Sequence, residues 1–157
     1  MPTLRPLRRT HLSFALASLL LAGGLLCGVT PSARADAPEA AVLQAFGGPV
    51  GLAQLSDVFV DRLRADPRTA DFFKDVNARH TKKQLADQFC MVLNGPCIYD
   101  GETMKQSHAD LKIARKDFNA LVEVLQQTMD AQGVPFAAQN QLLARLAPMH
   151  RDVITVR

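Results

Sequence analysis

The strongest candidate for chemistry in this sequence is His108, at the end of the segment 104–108 (MKQSH). The spacing places its imidazole one helical turn after Met104, just past a loop that contains glycine and just before a long amphipathic segment. A neutral imidazole carries a nitrogen lone pair that can bind a transition metal. Most helical histidines are ordinary core or surface residues, so the spacing alone leaves both interpretations of His108 open.

Other polar side chains are weaker candidates. His80 is expected at the start of a helix, and His150 is expected off the apolar stripe of the last helix, so both are predicted to face solvent. Lys82 and Lys83 are most simply a solvated helix face. The sequence contains no Ser/His/Asp, Cys/His or phosphate-loop arrangement.

The N-terminal region has the pattern of an export signal. Three arginines within the first nine residues precede an apolar run over 12–29, and Ala33-Arg34-Ala35 then supplies the small-x-small pattern of a signal peptidase site. We interpret residues 1–35 as a signal peptide and 36–157 as a periplasmic or secreted domain. An uncleaved membrane anchor is the alternative, although the apolar run is short for a spanning helix. Arg8-Arg9 leaves both general and twin-arginine export open.

The excess of basic over acidic residues in this chain lies in the predicted signal peptide. Residues 1–35 hold four of the 18 Lys and Arg residues and none of the 15 Asp and Glu residues, so residues 36–157 carry a formal net charge of −1. A domain without excess positive charge lacks the overall basic character typical of proteins that bind nucleic acid. We therefore expect no nucleic-acid partner, and no stable membrane association after signal cleavage.

Two cysteines remain in the mature chain, Cys90 and Cys97. The residues between them end in Asn94-Gly95-Pro96, a turn sequence that can bring the two thiols together. In an exported protein this spacing predicts a disulfide bond. A pair of buried thiols is the alternative, because so short a closed loop can strain the bond.

The spacing of apolar residues predicts helices from about residue 42 onward. The clearest stretch is 115–131, where Phe118, Leu121, Val122, Leu125 and Met129 share one helical face. No segment predicts a strand, so the fold class expected is all-α. The other predicted helices cover about 42–46, 51–65, 77–91, 102–109 and a last helix from Pro135, in its first turn, to Val153.

Four short motifs precede His108 along the chain. They are Phe46-Gly47-Gly48, Phe72-Phe73, Asn94-Gly95-Pro96 and Tyr99-Asp100-Gly101. In their order and their distances from His108 they resemble the group 1 truncated haemoglobins, over residues 42 to 153. The resemblance implies a truncated globin, in which a two-over-two helical sandwich encloses haem b and His108 binds the iron.

The resemblance also implies which side chains line the haem. Phe73 matches the aromatic residue that wedges the haem, and Met104 matches a position against the porphyrin face. Phe118 and Leu121 match pocket positions on the helix after His108. Each of these apolar residues is also a plausible member of an ordinary core.

On the ligand side of the haem, the sequence departs from the resemblance. Val60 stands where group 1 proteins usually carry tyrosine, and Thr81 and Leu85 stand where they usually carry polar residues. Gln84 and Gln88 are nearby, and Thr81, Leu85 and Gln88 share one helix face. A hydrogen bond to bound oxygen is worth on the order of 1.5–3 kcal/mol, so its loss would weaken oxygen retention roughly tenfold to a hundredfold.

The function implied is reversible binding of a diatomic gas, either oxygen, nitric oxide or carbon monoxide, at histidine-ligated iron in a weakly polar pocket. Two other classes stay open. A haem-dependent redox enzyme, such as a nitric oxide dioxygenase or a peroxidase-like enzyme, would need a reductase partner and a distal proton donor. A haem-free helical interaction module would lack the absorption spectrum of haem.

Overall fold

The computed structural model describes residues 36–156, and every regular element within them is a helix. The all-α fold class predicted from apolar spacing is confirmed. Among these residues, no helix combines the length and the apolar character needed to cross a membrane. The predicted signal peptide and its cleavage site lie outside the described residues. The helices are α1 (Asp36–Ala45), α2 (Gly48–Ala65), α3 (Ala70–Phe73), α4 (Ala78–Val92), α5 (Met104–His108), α6 (Arg115–Ala131), α7 (Phe136–Leu146) and α8 (His150–Val153).

The core lies between two pairs of helices. α2 packs mainly on α4, and this pair meets the second pair where α2 contacts α6 and α4 contacts α7. The rings of Phe59 and Phe89 join α2 to α4, with centroids 6.4 Å apart. This arrangement is the two-over-two sandwich that the sequence predicted. The buried side chains between the pairs include Leu52, Leu55, Leu63, Leu93, Val124, Leu125, Met129 and Leu142.

A glycine-rich corner joins α1 to α2. Gly47 and Gly48 both have a positive φ, 79° and 65°, a backbone conformation that residues with a Cβ rarely adopt. A Cβ at Gly51 would collide with the carbonyl oxygen of Phe46. Glycine at these positions therefore lets α2 turn back closely on α1.

Side-chain caps fix where the two helices of the candidate site begin. The side chain of Asn77 accepts a hydrogen bond from the backbone N–H of His80 at 3.1 Å and so starts α4. Thr103 and Gln106 form a reciprocal capping box at the start of α5. Because of this box, α5 begins at Met104, two residues later than the apolar spacing predicted.

The C-terminal helix differs from the prediction of one continuous helix. α7 ends at Leu146, a 3₁₀ turn covers Ala147–Met149, and α8 follows. Pro148 within that turn has no N–H to donate, so an α-helical ladder cannot run through it. At the other end, Pro135 is the residue before α7 and not a residue of its first turn.

Candidate functional site

The imidazole of His108 is oriented by its own helix. Its Nδ1 lies 2.8 Å from the carbonyl oxygen of Met104 and 2.9 Å from the hydroxyl oxygen of Ser107. A carbonyl oxygen can only accept, so Nδ1 carries the proton and donates to Met104. The Nε2 atom then keeps its lone pair and is available to a metal.

The segment after His108 is held by the C-terminal residues. The backbone N–H of Ile113 donates to the hydroxyl of Thr155 at 2.9 Å, and the N–H groups of Thr155 and Val156 donate back to the carbonyl of Ile113 at 2.9 and 3.0 Å. α5 itself packs on α8. We call the Ile113–Thr155–Val156 contacts the C-terminal strap, since they fix the chain on the far side of His108.

The four apolar residues predicted to line the haem are all half-buried. Phe73 and Leu121 pack against the hydrophobic core, and Met104 and Phe118 are also only partly exposed. Core residues of the same sandwich, such as Leu52, are completely buried. Partial burial of large apolar side chains is expected where residues border a groove for an apolar ligand.

The predicted ligand-side residues lie on α2 and α4. Val60 is completely buried, and Leu85 is half-buried against the core. The hydroxyl of Thr81 donates to the carbonyl of Asn77, one turn earlier, at 3.1 Å. Its proton is therefore committed to the helix backbone.

Gln88 makes a contact that the sequence did not indicate. Its side chain is 5% exposed, and its Nε2 lies 3.3 Å from Sδ of Met104 and 3.9 Å from Sδ of Met149. The amide thus joins α4 to α5, the helix of His108. Helical spacing placed Gln88 on the face of Thr81 and Leu85, but no sequence signal indicated that Met149 lies beside it.

Lys82 is not the freely solvated residue that the sequence predicted. Its Nζ lies 2.8 Å from the carboxylates of both Asp57 and Asp61 on α2. The hydrogen bonds that Lys82 donates to these carboxylates raise its pKa. Lys83, whose side chain is more exposed than that of Lys82, forms an ion pair with Asp87 at 2.6 Å. Lys82 is therefore a link between α2 and α4.

Gln84, the next polar residue on α4, forms a hydrogen bond with the loop that follows this helix. The Nε2 of Gln84 donates to Oδ1 of Asp100 at 3.1 Å, and this hydrogen bond lowers the pKa of Asp100. The hydroxyl of Tyr99 donates to the carbonyl of Glu102 at 2.7 Å. Gln84 thus anchors the loop that connects α4 to α5.

The two other histidines of the helical region have different surroundings. His80 is exposed, as predicted. His150 is half-buried, so it is less exposed than the sequence predicted. Its Nδ1 lies 2.9 Å from the carbonyl of Ala147, and its ring centroid is 6.4 Å from that of Phe118. The break in the helix at Pro148 turns His150 toward α6.

Cys90 lies in the last turn of α4, and Cys97 lies in the α4–α5 loop. Their sulfur atoms are 2.02 Å apart and their Cα atoms 5.7 Å apart. Gly95 lies against this pair, since a Cβ there would be 2.6 Å from Sγ of Cys90. The turn at 94–96 therefore brings the two cysteines together as the sequence predicted.

The chemistry of this region fits a haem group. Within residues 36–156, no three His, Cys, Asp or Glu residues converge into a metal site. A porphyrin supplies four nitrogen ligands and needs an apolar lining and one axial base. The resemblance assigns His108 as that base and Phe73, Met104 and Leu121 as the lining, and all four side chains are partly buried. Two shallow surface clefts, of about 290 and 430 Å³, are not lined by any of these four residues.

A family profile and individual relatives both show similarity between this chain and globins. The profile of the bacterial-like globins matches residues 41–155. A group 1 truncated haemoglobin of Tetrahymena pyriformis is 27% identical over 113 residues, which cover 72% of this chain and 93% of that protein. The group 1 truncated haemoglobin of Tetrahymena thermophila is 31% identical over 93 residues, which cover 59% of this chain and 77% of that protein.

A solved structure is also similar to this chain. The truncated haemoglobin of Tetrahymena pyriformis in its Fe(III) form superposes with a TM-score of 0.69 at 27% identity. The match covers 72% of this chain and 97% of the solved chain. The region matched by the bacterial-like globin profile contains all of the residues that we predict for the haem site.

Proposed function

Since this chain belongs to the bacterial-like globins, as a group 1 truncated haemoglobin, we propose that His108 is the axial ligand of its haem iron. Membership of this family gives haem with iron as the cofactor and a small gas as the ligand. The haem iron supplies the coordination position at which a diatomic gas binds reversibly. The chain contributes the axial base, the apolar enclosure and the polarity next to the gas.

The observation that carries this proposal is the hydrogen bond from Nδ1 of His108 to the carbonyl of Met104. This bond fixes the tautomer in which Nε2 has a free lone pair, and it makes that nitrogen a better electron donor. It also restricts rotation of the ring about its χ2 bond. A histidine held in this way in the folded α5 presents Nε2 to a metal.

The ligand side is proposed to be weakly polar. Solved forms of the Tetrahymena pyriformis protein include substitutions of a tyrosine and of two glutamines. The separations between those positions along that chain equal the separations between Val60, Thr81 and Leu85 here. In this chain two of the three side chains are apolar, and the third donates to its own helix. We therefore expect oxygen to be held loosely.

Haem titration of two histidine variants tests the proposed ligand. We expect His108→Ala to lose most of its haem affinity while its helix content stays unchanged, because the variant lacks the axial base. His80→Ala is the matched control, since His80 lies on α4 with an exposed side chain. Absorbance near 400 nm and circular dichroism are the two measurements. Equal haem affinity in His108→Ala and the wild type would contradict the proposal.

We also propose that the protein is exported and that Cys90 and Cys97 form a disulfide there. The arginines, the apolar run and Ala33-Arg34-Ala35 support cleavage near Ala35. An oxidising compartment would allow two sulfur atoms placed as these are to bond. An N-terminal sequence that begins at Asp36 in protein recovered from the periplasm is the expected result, and an intact N-terminus would contradict export.

A further inference from the structure

The two cysteines of the Cys90–Cys97 pair differ in their access to solvent. Cys90 is 0% exposed and belongs to the hydrophobic core, whereas Cys97 is only partly buried. Cys97 also borders the surface cleft of about 290 Å³ between α2 and α4, beside Ala53 and Lys83. A thiolate attacks a disulfide only at a sulfur that it can reach. A reductant in solution should therefore attack this bond at Cys97.

The core does not depend on the sulfur–sulfur bond. A reduced Cys90 is a small apolar side chain of a kind that is common in protein cores. The backbone N–H of Gly95 donates to the carbonyl of Cys90 at 2.8 Å, and this hydrogen bond holds the turn without the sulfur atoms. We therefore expect reduction to leave the helical sandwich folded and to change the chain that follows α4.

That chain becomes longer when the bond is broken. With the bond, residues 98–103 connect Cys97 to Met104, the first residue of α5. Without it, the last buried residue before the loop is Leu93, and residues 94–103 make the connection. The probability that the end of a flexible segment lies at one place falls as about the −3/2 power of its length. The longer segment should therefore lower the occupancy of the α5 position about twofold.

α5 is sensitive to this change because it contributes nothing to the buried core. None of its five residues is buried, and its main helical neighbour is α8. The hydrogen bond from Gln84 to Asp100 also ties the loop to α4, but it is exposed to solvent and weaker than a covalent link. His108 is the last residue of α5, so the position of its Nε2 should depend on the state of the Cys90–Cys97 bond.

We propose that the Cys90–Cys97 bond is a thiol–disulfide exchange site for a dithiol, and that its state sets how tightly the protein holds haem. One thiolate of the dithiol attacks Sγ of Cys97, forms a mixed disulfide and displaces the sulfur of Cys90, which takes up a proton. The second thiolate then attacks the dithiol sulfur of the mixed disulfide and displaces Cys97, which also takes up a proton. The dithiol is oxidised as the protein bond is reduced. This inference rests on the proposed function.

Haem titration of the oxidised and reduced wild type tests the effect on the cofactor. The protein is reduced with dithiothreitol, which is then removed under nitrogen, and circular dichroism verifies that the fold is intact. We expect the reduced protein to bind haem at least about twofold more weakly than the oxidised protein. Equal affinity in the two forms would overturn the inference, whereas a wild type that binds haem in neither form would overturn the proposed function.

The double variant Cys90→Ala/Cys97→Ala is the matched control. It has no bond to break, so its haem affinity should equal that of the reduced wild type and should not change after the same treatment with dithiothreitol. A loss of affinity in the treated double variant as large as that in the wild type would mean that the treatment acts elsewhere, and this would overturn the inference.

The reciprocal measurement reads the bond and not the haem. If the oxidised form binds haem more tightly, bound haem must oppose reduction of the bond by the same factor. The fraction of reduced wild type is measured by thiol alkylation and mass spectrometry in mixtures of reduced and oxidised dithiothreitol. Carbon monoxide keeps the bound iron in one redox state. A haem-bound protein that is as easily reduced as the haem-free protein would contradict the coupling.

Trapping with a monothiol tests the point of attack. After brief exposure of the oxidised wild type to glutathione and quenching in acid, we expect the mixed disulfide on Cys97 and a free thiol on Cys90. Glutathione on Cys90 would overturn the assignment of Cys97. Two free thiols in periplasmic wild type prepared without reductant would show that the bond does not form, and this would overturn the exchange site itself.

Discussion

At the scale of single residues, His108 and Gln88 differ in how far the sequence could predict them. The partner of His108 is Met104, one turn earlier in the same helix, so local spacing was enough to place the two together. The contacts of Gln88 join positions 16 and 61 residues apart, to Met104 and Met149. Such contacts depend on how α4, α5 and the C-terminal turn pack, and no local pattern encodes that packing.

Val60 gives a prediction at the same scale. Val60→Tyr should slow oxygen release roughly tenfold, because a phenol at this buried position adds a hydrogen-bond donor on the ligand side. Stopped-flow measurement of oxygen dissociation checks this expectation. Val58→Tyr is the control, since Val58 lies on the same helix but is 37% exposed, and its rate should stay that of the wild type.

The Val60→Tyr comparison also requires an intact fold. Added volume in a packed site costs stability, so a thermal melt should accompany the kinetics. If folded Val60→Tyr released oxygen as fast as the wild type, position 60 would not face the ligand, and the assignment of Val60, Thr81 and Leu85 to the ligand side would be wrong.

At the scale of helices, apolar spacing located the longer helices but not α3, and capping side chains set the starts of α4 and α5. The spacing over 115–131 predicted α6 with its observed bounds, Arg115–Ala131. The start of α5 was predicted too early, although Thr103 and Gln106 are a capping-box sequence that marks Met104 as its first residue. Pro148 likewise carried the signal for the break after α7.

The loop between α4 and α5 gives a prediction at this scale. If Cys90 and Cys97 are bonded, Cys97→Ser should lower the free energy of unfolding by about 2 to 3 kcal/mol, because the cross-link limits the unfolded chain. Denaturant unfolding checks this loss, and wild-type protein treated with a reductant should lose the same amount. Two titratable thiols in periplasmic protein prepared without reductant would contradict the bond.

At the scale of the whole molecule, the helical sandwich and the helix that carries His108 are different parts of the structure. α2, α4, α6 and α7 bury most of the core; apolar stripes predicted the helices, and the resemblance implied how they pack. α5 adds no fully buried residue and has α8 as its main helical neighbour. Its place depends on the C-terminal strap and on the α4–α5 loop, which helical periodicity does not describe.

The shortness of α5 has a consequence for how the protein acquires its cofactor. A five-residue helix is too short to be stable by itself in water. Without haem, the amide hydrogens of Met104–His108 should therefore exchange with solvent far faster than those of α2, and haem should slow them strongly. Hydrogen exchange measured by mass spectrometry, with and without haem, checks this expectation, and equal protection of α5 and α2 in the haem-free protein would contradict it. Part of the affinity for haem is then spent on folding the helix that holds it.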